Sequence, residues 1–319
     1  MLLRWHTSPA RGPTRCCKFL PGATRPAPGR GAVLPAEQPR GPGPRGRPAR
    51  AGRSRVPPGP ARGGRGQALE QAVPEGAIPA ATLVLARDGA AGLEILVIER
   101  AERLGFAGGA VAFPGGRVDP SDRPEGPAFR GVDGLEEADA AARVAAARET
   151  FEEAGVLLSD GPPVPRAQRQ ALRPRSDRHD IRFGALLAGL GHCLDLARLR
   201  PFARWIPPEG LHRRFDTRFY VAAMPAGEAH LADGVEAVRA RWARPADLLE
   251  EADRGAIRLL FPTRCNVARL AQFADAAALL ADPTPAPFVQ PKVEDGWLTI
   301  PEGIGYPWRR ERLEAAIRG

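Results

Sequence analysis

The sequence predicts an α/β fold, namely an α/β/α sandwich with a mixed sheet (helices on both faces), preceded by a disordered N-terminal tail. Beyond Ile78, short apolar runs typical of buried strands alternate with longer segments of helical periodicity. Before that point the 319-residue chain has no hydrophobic period. We therefore divide the chain into a tail at 1–78, a folded domain at 79–282 and a C-terminal extension at 283–319.

The tail is rich in Arg, Pro, Gly and Ala. Its stretches cannot bury enough apolar surface to offset the entropy of ordering, which predicts disorder. Three origins stay open: an over-extended translation start, a flexible basic tail and an organelle transit peptide. The density of Pro and Gly argues against the amphipathic helix that a transit peptide needs.

The net charge of +9 comes from 46 basic and 37 acidic residues. Residues 1–78 hold 14 basic and 3 acidic residues, a net of +11, which leaves 32 basic and 34 acidic residues, a net of −2, in the rest. The folded part is thus near neutral, and we expect no nucleic-acid partner for it. Lysine occurs only at Lys18 and Lys292, so the arginine excess looks more like GC-rich coding than like a selected basic patch.

The four cysteines form neither a disulfide framework nor a zinc spacing, because two are adjacent in the tail and two lie far apart. This usage fits a reducing compartment, and we expect a cytoplasmic location. A membrane-spanning helix needs about 18 consecutive apolar residues, and the sequence has no such run. The oligomeric state is left open.

The first half of the folded domain predicts three strands. Residues 81–86 and 93–98 have the composition of buried strands, and Asp88-Gly89 predicts the turn between them. Residues 110–113 predict a third short strand, ended by Pro114-Gly115-Gly116. Residues 117–133 are polar and rich in turn formers.

A helix is then predicted to begin after Asp133, which suits the N-cap because Glu136 follows three residues later. It should end at Ala154, because Gly155 supplies a C-terminal stop. The pattern further along predicts a strand at 156–158, a helix at 183–199, strands at 202–206, 218–224 and 235–242, and helices at 245–253 and 263–280.

The end of the first helix carries three carboxylates on one side. At about 100° per residue, Glu149, Glu152 and Glu153 fall within one arc, roughly opposite Phe151 and Ala154. Three carboxylates that close repel one another unless a cation holds them, and Mg²⁺ or Mn²⁺ takes oxygen ligands. Such an ion can screen phosphate charge, activate water and stabilise a leaving phosphate.

The same arc is also what a solvated surface helix looks like. The flanking residues favour a site. Phe113-Pro114-Gly115-Gly116 ends a strand before the helix, and Gly155 closes the helix. Paired glycines permit close approach of backbone to phosphates, so Gly115 and Gly116 are candidate substrate-binding residues.

This segment resembles the Nudix box in Arg148, Glu149, Glu152, Glu153, Gly155 and Val156. Thr150 stands where an aliphatic residue is usual. The resemblance implies that Glu152 and Glu153 are metal ligands and that Glu149 is a ligand or a base. It also implies that Arg148 is an ion-pairing residue that orients the catalytic glutamates.

The sequence departs from the Nudix box at one point. The box places a glycine, and then a glutamate, upstream of the run that begins at Arg148. Counting back, Gly134 falls on the glycine, but Ala140 falls on the glutamate. Alternatively, Gly116 is the box glycine and an insertion at 117–138 splits the box. We favour the insertion, because Pro114-Gly115-Gly116 is the stronger turn.

The resemblance extends to the branch that acts on coenzyme A and acyl-CoA. Arg100 to Leu104, and then Gly109 to Asp119 with Asp122, are similar to the pattern of that branch, except that Ala101 replaces its usual Ser. Arg204-Trp-Ile-Pro-Pro208 follows the split box, as in the group that contains the CoA diphosphatases. The match covers about residues 79–275.

Two acidic residues outside the box need interpretation. Glu236 begins a predicted strand, where many Nudix proteins place an additional acid. It is either a further ligand or general base, or an exposed carboxylate at a strand end. We interpret Asp216, between Phe215 and Thr217, as a residue of a structural turn and not as a catalytic residue.

Four arginines are candidates for binding substrate phosphates, because guanidinium groups engage phosphate with two hydrogen bonds. Each could equally be a solvated surface charge. They are Arg100, Arg103, Arg117 and Arg214.

The sequence therefore predicts a Mg²⁺- or Mn²⁺-dependent hydrolase that cuts the phosphoanhydride bond of a nucleoside diphosphate linked to another moiety. The favoured small-molecule substrate is CoA or acyl-CoA. Three alternatives stay open: a Nudix hydrolase of ADP-ribose, NADH or a dinucleoside polyphosphate; a non-catalytic nucleotide-binding Nudix module; and a nucleic-acid-binding protein that uses the basic tail.

Overall fold

A computed structural model describes residues 76–102, 109–208, 214–226 and 237–317. The predicted tail lies outside these residues, apart from 76–78.

The strands are β1 Ile78–Gly89, β2 Gly92–Arg100, β3 Ala110–Ala112, β4 Gly115–Arg117, β5 Phe129–Arg130, β6 Leu194–Asp195, β7 Arg200–Trp205, β8 Phe215–Ala223, β9 Ala237–Ala243, β10 Arg258–Leu259, β11 Phe288–Val289, β12 Lys292–Glu294, β13 Trp297–Thr299 and β14 Arg310–Arg312. The helices are α1 Glu137–Ala154, α2 Arg166–Asp177, α3 Phe183–Leu190, α4 Pro245–Asp253, α5 Phe261–Leu270, α6 Ala276–Ala281 and α7 Leu313–Ile317.

A mixed sheet organises the domain. Its main path runs β10-β3-β2-β1-β8-β7-β11, with β4 also paired to β1 and β9 to β2. The long strand β1 is central: it runs parallel to β8 on one edge and antiparallel to β2 and β4 on the other. This arrangement places the short strand β4 beside the end of β1 that starts at Ile78.

Helices cover both faces of this sheet. In β1, Leu83 and Leu85 face a core shared with α1 and α3, whereas Val84 and Ala86 face a second core shared with α4, α5 and α6. Because successive strand residues point to opposite faces, burial on both sides requires a nearly continuous apolar run. The predicted α/β/α sandwich with a mixed sheet is therefore confirmed.

The first two strands of the domain are longer than the sequence predicts. β1 continues through Asp88 and Gly89, which pair with Leu93 and Gly92, so the predicted turn lies instead at Ala90-Ala91. The third strand ends at Ala112, before Pro114 as predicted, but Gly115 and Gly116 then open a further strand, β4, which pairs with β1. Ladder partners across the sheet override the local turn preference of these residues.

The helix α1 begins later than predicted. Its N-cap is Glu136, without a side-chain cap, so the predicted N-cap at Asp133 is wrong. Its end is confirmed: Gly155 has φ 67° and donates its N–H to the carbonyl of Phe151. Glycine suits this left-handed position because it has no Cβ.

The region after α1 differs most from the prediction. Residues 156–158 are buried but are not part of a strand. The helix α2 was not predicted, and the predicted helix at 183–199 ends at Leu190, followed by β6 and a short 3₁₀ turn at Leu196–Arg198. These residues fold against α1, which brings α2 to its C-terminal end.

The last part of the domain follows the prediction more closely. α4 has the predicted bounds, but the predicted helix at 263–280 is two helices, α5 and α6, separated by a turn around Phe273. In the C-terminal segment, β11 pairs with β7, and β12, β13 and β14 form a small sheet of their own. Across the described ranges, no helix combines the length and the hydropathy required to cross a membrane.

A fully buried ion pair joins the two strands β7 and β8. Arg204 Nε and Nη2 donate to the two carboxylate oxygens of Asp216 at 2.8 and 2.7 Å. Asp216 thus lies in a strand and not in the turn that its neighbours suggested. Removing one partner of such a pair leaves an uncompensated buried charge.

We predict that Asp216→Ala lowers the free energy of unfolding by about 3–5 kcal/mol, as expected when a buried charge loses its partner. Urea denaturation measures this difference. Asp180→Ala is the matched control, because Asp180 pairs with Arg178 at an exposed position, where an ion pair contributes about 0–1 kcal/mol. Equal losses in the two variants would contradict the prediction.

Candidate active site

The guanidinium of Arg148 donates to four acceptor residues of the site. Its Nε and Nη2 donate to Asp122 at 2.8 and 3.0 Å, and Nη2 also donates to the carbonyl of Arg117 at 2.9 Å. Its Nη1 donates to Glu149 Oε1 at 2.9 Å and to Glu152 Oε2 at 2.8 Å. Burial alone would lower the pKa of Arg148, but the bond to Asp122 and the nearby carboxylates raise it, so the group stays charged.

The pairing with Asp122 bears on the two alignments of the box that the sequence left open. Asp122 follows Gly116 by the same six positions that separate Gly134 from Ala140. Asp122 is fully buried against Arg148, whereas Ala140 packs in the core and Gly134 has no heavy atom near its Cβ position. The geometry therefore agrees with a box that begins at Gly116 and is split by an insertion, with Asp122 in place of the missing glutamate.

Glycines 115 and 116 bring β4 against the acidic side of α1. The Gly115 N–H donates to Glu153 Oε2 at 2.8 Å. A Cβ on Gly115 would lie 2.5 Å from the carbonyl oxygen of Ala81, and a Cβ on Gly116 would lie 2.5 Å from Glu149 Oε1. Gly115 therefore needs glycine for close packing against the backbone of β1, whereas a side chain at Gly116 would displace the carboxylate of Glu149, a candidate ligand.

The carboxylate of Glu149 lies in an unfavourable place for a negative charge. Burial raises the pKa of Glu149 to about 7, with Arg148 opposing this shift and Glu152 adding to it. Burial likewise raises the pKa of Glu152, against the hydrogen bonds of Arg148 and Ser176. The cluster therefore holds more negative charge than its own cations neutralise.

Glu153 and Arg100 complete the cluster. Glu153 is buried, and its Oε1 lies 3.7 Å from Arg100 Nη1. The side chain of Arg100 is partly exposed, and among the described residues its Nε has no hydrogen-bond partner. A guanidinium held this way can pair with Glu153 on one side and with an anion on the other.

Most of the predicted site residues line one cavity of about 1470 Å³. The polar lining contains Arg100, Gly115, Gly116, Arg117, Arg148, Glu149, Glu152 and Glu153. The predicted residues Arg103 and Glu236 lie outside the described residues. Arg214 does not line the cavity, and its Nε donates to the carbonyl of Pro207 at 3.3 Å.

The cavity also has residues that the sequence did not single out. Asp119, Asp177 and His179 add polar groups, and His179 adopts a left-handed backbone with φ 56°. An apolar part of the lining comes from β7, β8, the start of α5 and the C-terminal segment, through Trp205, Pro207, Pro208, Phe215, Phe219, Phe261, Pro262, Pro291 and Leu298. Since β8 and β4 flank opposite edges of β1, the glycines and the aromatic side chains of β8 lie on different sides of this strand.

An α/β/α sandwich with an Arg-Glu-x-x-Glu-Glu helix against paired glycines defines a Nudix domain. The NUDT19 Nudix domain model matches residues 130–270. A Nudix hydrolase from Alicyclobacillus acidocaldarius is similar in structure, with a TM-score of 0.58, 30% sequence identity, and coverage of 65% of this chain and 96% of that chain. The chain belongs to the Nudix hydrolase family.

Curated relatives point to one branch of this family. The acyl-coenzyme A diphosphatase NUDT19 of Homo sapiens is 30% identical over 241 residues, which cover 60% of this chain and 64% of the relative. The protein of the same name from Gallus gallus is 27% identical over 232 residues, which cover 56% and 61%. The chain thus spans somewhat less than two thirds of the length of these relatives.

The pKa of Glu149 predicts how the metal-free protein responds to pH. A carboxyl whose pKa rises on folding, here from 4.5 to about 7, stabilises the fold at low pH and loses that contribution as pH rises through 7. We expect urea midpoints in EDTA to fall between pH 5 and pH 8, and to fall less in Glu149→Gln. The same pH dependence in both proteins would contradict this expectation.

Proposed function

We propose that this chain is a metal-dependent diphosphatase that hydrolyses CoA or acyl-CoA to 3′,5′-ADP and 4′-phosphopantetheine or its acyl form. The observation that carries the proposal is the group of three glutamates on α1, with Glu152 and Glu153 buried and Glu149 partly exposed, which line one large cavity together with Gly115 and Gly116. The names of the curated relatives support the substrate class. The domain that we assign to this activity is 79–282.

The residues of the site fit a Mg²⁺ or Mn²⁺ ion. Glu149, Glu152 and Glu153 offer only oxygen donors, which hard cations prefer, and the pKa of Glu149 is raised by burial among like charges. In the described residues, no three carboxylate, imidazole or thiol side chains lie close enough to share one ion. Binding would therefore require the carboxylates of Glu149 and Glu153 to move toward that of Glu152, which Arg148 and Ser176 hold in place.

Each residue of the site would have a distinct part in the reaction. When bound, a divalent ion would screen the charge of the diphosphate and lower the pKa of a nearby water. Arg148 would orient Glu149 and Glu152 through its hydrogen bonds and oppose the rise in their pKa that burial causes. Arg100 and Arg117 would contact the diphosphate, for which they offer guanidinium groups in the cavity. Glu236 stays a prediction from the sequence, as a further ligand or base.

The size and composition of the cavity favour a bulky substrate. Its volume of about 1470 Å³ exceeds the roughly 300–1,000 Å³ of pockets that hold drug-sized ligands. The aromatic and proline side chains in the lining could contact the adenine ring or the pantetheine and acyl parts of CoA esters. A dinucleotide or ADP-ribose would use less of this apolar surface.

A ligand test uses Glu152→Gln and Glu153→Gln. We expect each variant to lose on the order of 10²-fold or more in kcat/KM, because metal coordination supplies several kcal/mol of transition-state stabilisation. Product release measured by chromatography with Mg²⁺ or Mn²⁺ reports the loss. Glu137→Gln is the matched control, since Glu137 lies exposed at the other end of the same helix. Turnover like that of the wild type in both site variants would refute the assignment.

A substrate panel separates the proposal from its alternatives. We expect CoA and acyl-CoA to be cleaved, with release of 3′,5′-ADP that stops in EDTA. ADP-ribose, NADH and a dinucleoside polyphosphate are the comparison substrates, analysed under the same conditions. Intact CoA together with cleaved ADP-ribose would contradict the choice of substrate, and no cleavage of any diphosphate would favour a binding module.

A further inference from the structure

Three side chains of α2 donate hydrogen bonds to the C-terminal end of α1. Ser176 Oγ donates to Glu152 Oε1 at 2.5 Å. Arg173 donates from Nε and Nη2 to the carbonyl oxygen of Glu152 at 3.1 and 2.6 Å, and Arg169 Nη1 donates to the carbonyl of Gly155 at 3.4 Å. The helix α2 thus holds both the backbone and the side chain of Glu152.

The carboxylate of Glu152 accepts one hydrogen bond on each of its two oxygens, and Ser176 donates one of them. Arg148 donates to Glu152 Oε2 from within α1, and Ser176 donates to Oε1 from α2. Ser176 is 1% exposed and Glu152 is 7% exposed, so water cannot readily replace the hydroxyl as a donor to this carboxylate. Two donors from different elements fix both the position and the plane of the carboxylate.

We propose that Ser176 is a positioning residue, which orients the Glu152 carboxylate for cation binding. This inference rests on the proposed metal-dependent function. The two arginines already anchor α2 to backbone carbonyls of α1, so the hydroxyl is not needed for that anchoring. Its single donated bond goes to a side-chain oxygen of the cluster, and the adjacent Asp177 lines the same cavity.

The physical reason lies in the cost of a buried carboxylate oxygen without a donor. Without the Ser176 hydroxyl, Glu152 Oε1 would lose its hydrogen bond in a place that solvent barely reaches. The carboxylate would then be free to rotate about its remaining bond to Arg148, which weakens it as a ligand. Partners of metal-binding carboxylates typically change metal affinity by about 10- to 100-fold when they are removed.

The test measures Mn²⁺ affinity of the full-length protein by electron paramagnetic resonance of free Mn²⁺. We expect Ser176→Ala to bind Mn²⁺ at least about tenfold more weakly than the wild type. Ser176→Cys, which keeps the size of the side chain and a weak donor, should fall between the two. If Ser176→Ala does not fold, the cysteine variant decides alone.

A double-mutant cycle shows whether Ser176 acts through Glu152. In a Glu152→Gln background, Ser176→Ala should cause no further loss of Mn²⁺ affinity, because the carboxylate it orients is gone. An equal loss in both backgrounds would overturn the inference. Thermal melting in EDTA is recorded for every variant, so that a change of stability is separated from a change of metal affinity.

Ser159→Ala is the matched control. Ser159 lies between α1 and α2, and its hydroxyl bonds His192 Nδ1 at 2.8 Å, away from the glutamates. It should keep the Mn²⁺ affinity of the wild type. If Ser176→Ala and Ser176→Cys alter melting but bind Mn²⁺ like the wild type, Ser176 is only structural and the inference is wrong. If the wild type itself binds no Mn²⁺, the proposed function fails, and the inference fails with it.

Discussion

One buried guanidinium holds the site together. Arg148 donates to Asp122, to the carbonyl of Arg117, and to Glu149 and Glu152. A charge of this kind is tolerated in the interior only when its donors are all used and its charge is balanced. Its planar fork of five N–H groups suits this set of acceptors, which a lysine ammonium would not match. The glycine strand β4 and the helix α1 are therefore held in register, although Asp122 and Arg148 are 26 residues apart in the sequence.

The sequence pattern predicted the helices and strands whose buried side follows from hydrophobic periodicity. It failed for segments whose structure depends on contacts with residues far away in the sequence. The bounds of α4 and the end of α1 at Gly155 could be read directly. The apolar run at 156–158 indicates burial, but these buried residues do not belong to a strand. α2 escaped prediction because it packs through buried Arg169, Arg173 and Ser176 and has no apolar stripe.

The residues of the site likewise fall into those that the sequence predicted and those that it did not. The three glutamates could be predicted because their arc is a local property of one helix. Asp122 could have been found from its distance to Gly116, which repeats the distance from Gly134 to Ala140, but the insertion hides its partner. Ser176 had no signal at all, since it reaches Glu152 from a helix that the sequence did not reveal.

The position of the glutamates along α1 has an electrostatic consequence. They lie in its last two turns, where the aligned peptide dipoles place partial negative charge. Arg169 and Arg173 donate to carbonyl groups at this end, yet the backbone still adds to the negative potential of the side chains. The length of α1 thus helps to set where positive charge collects, because one more turn after Ala154 would move the carbonyl end about 5.4 Å away.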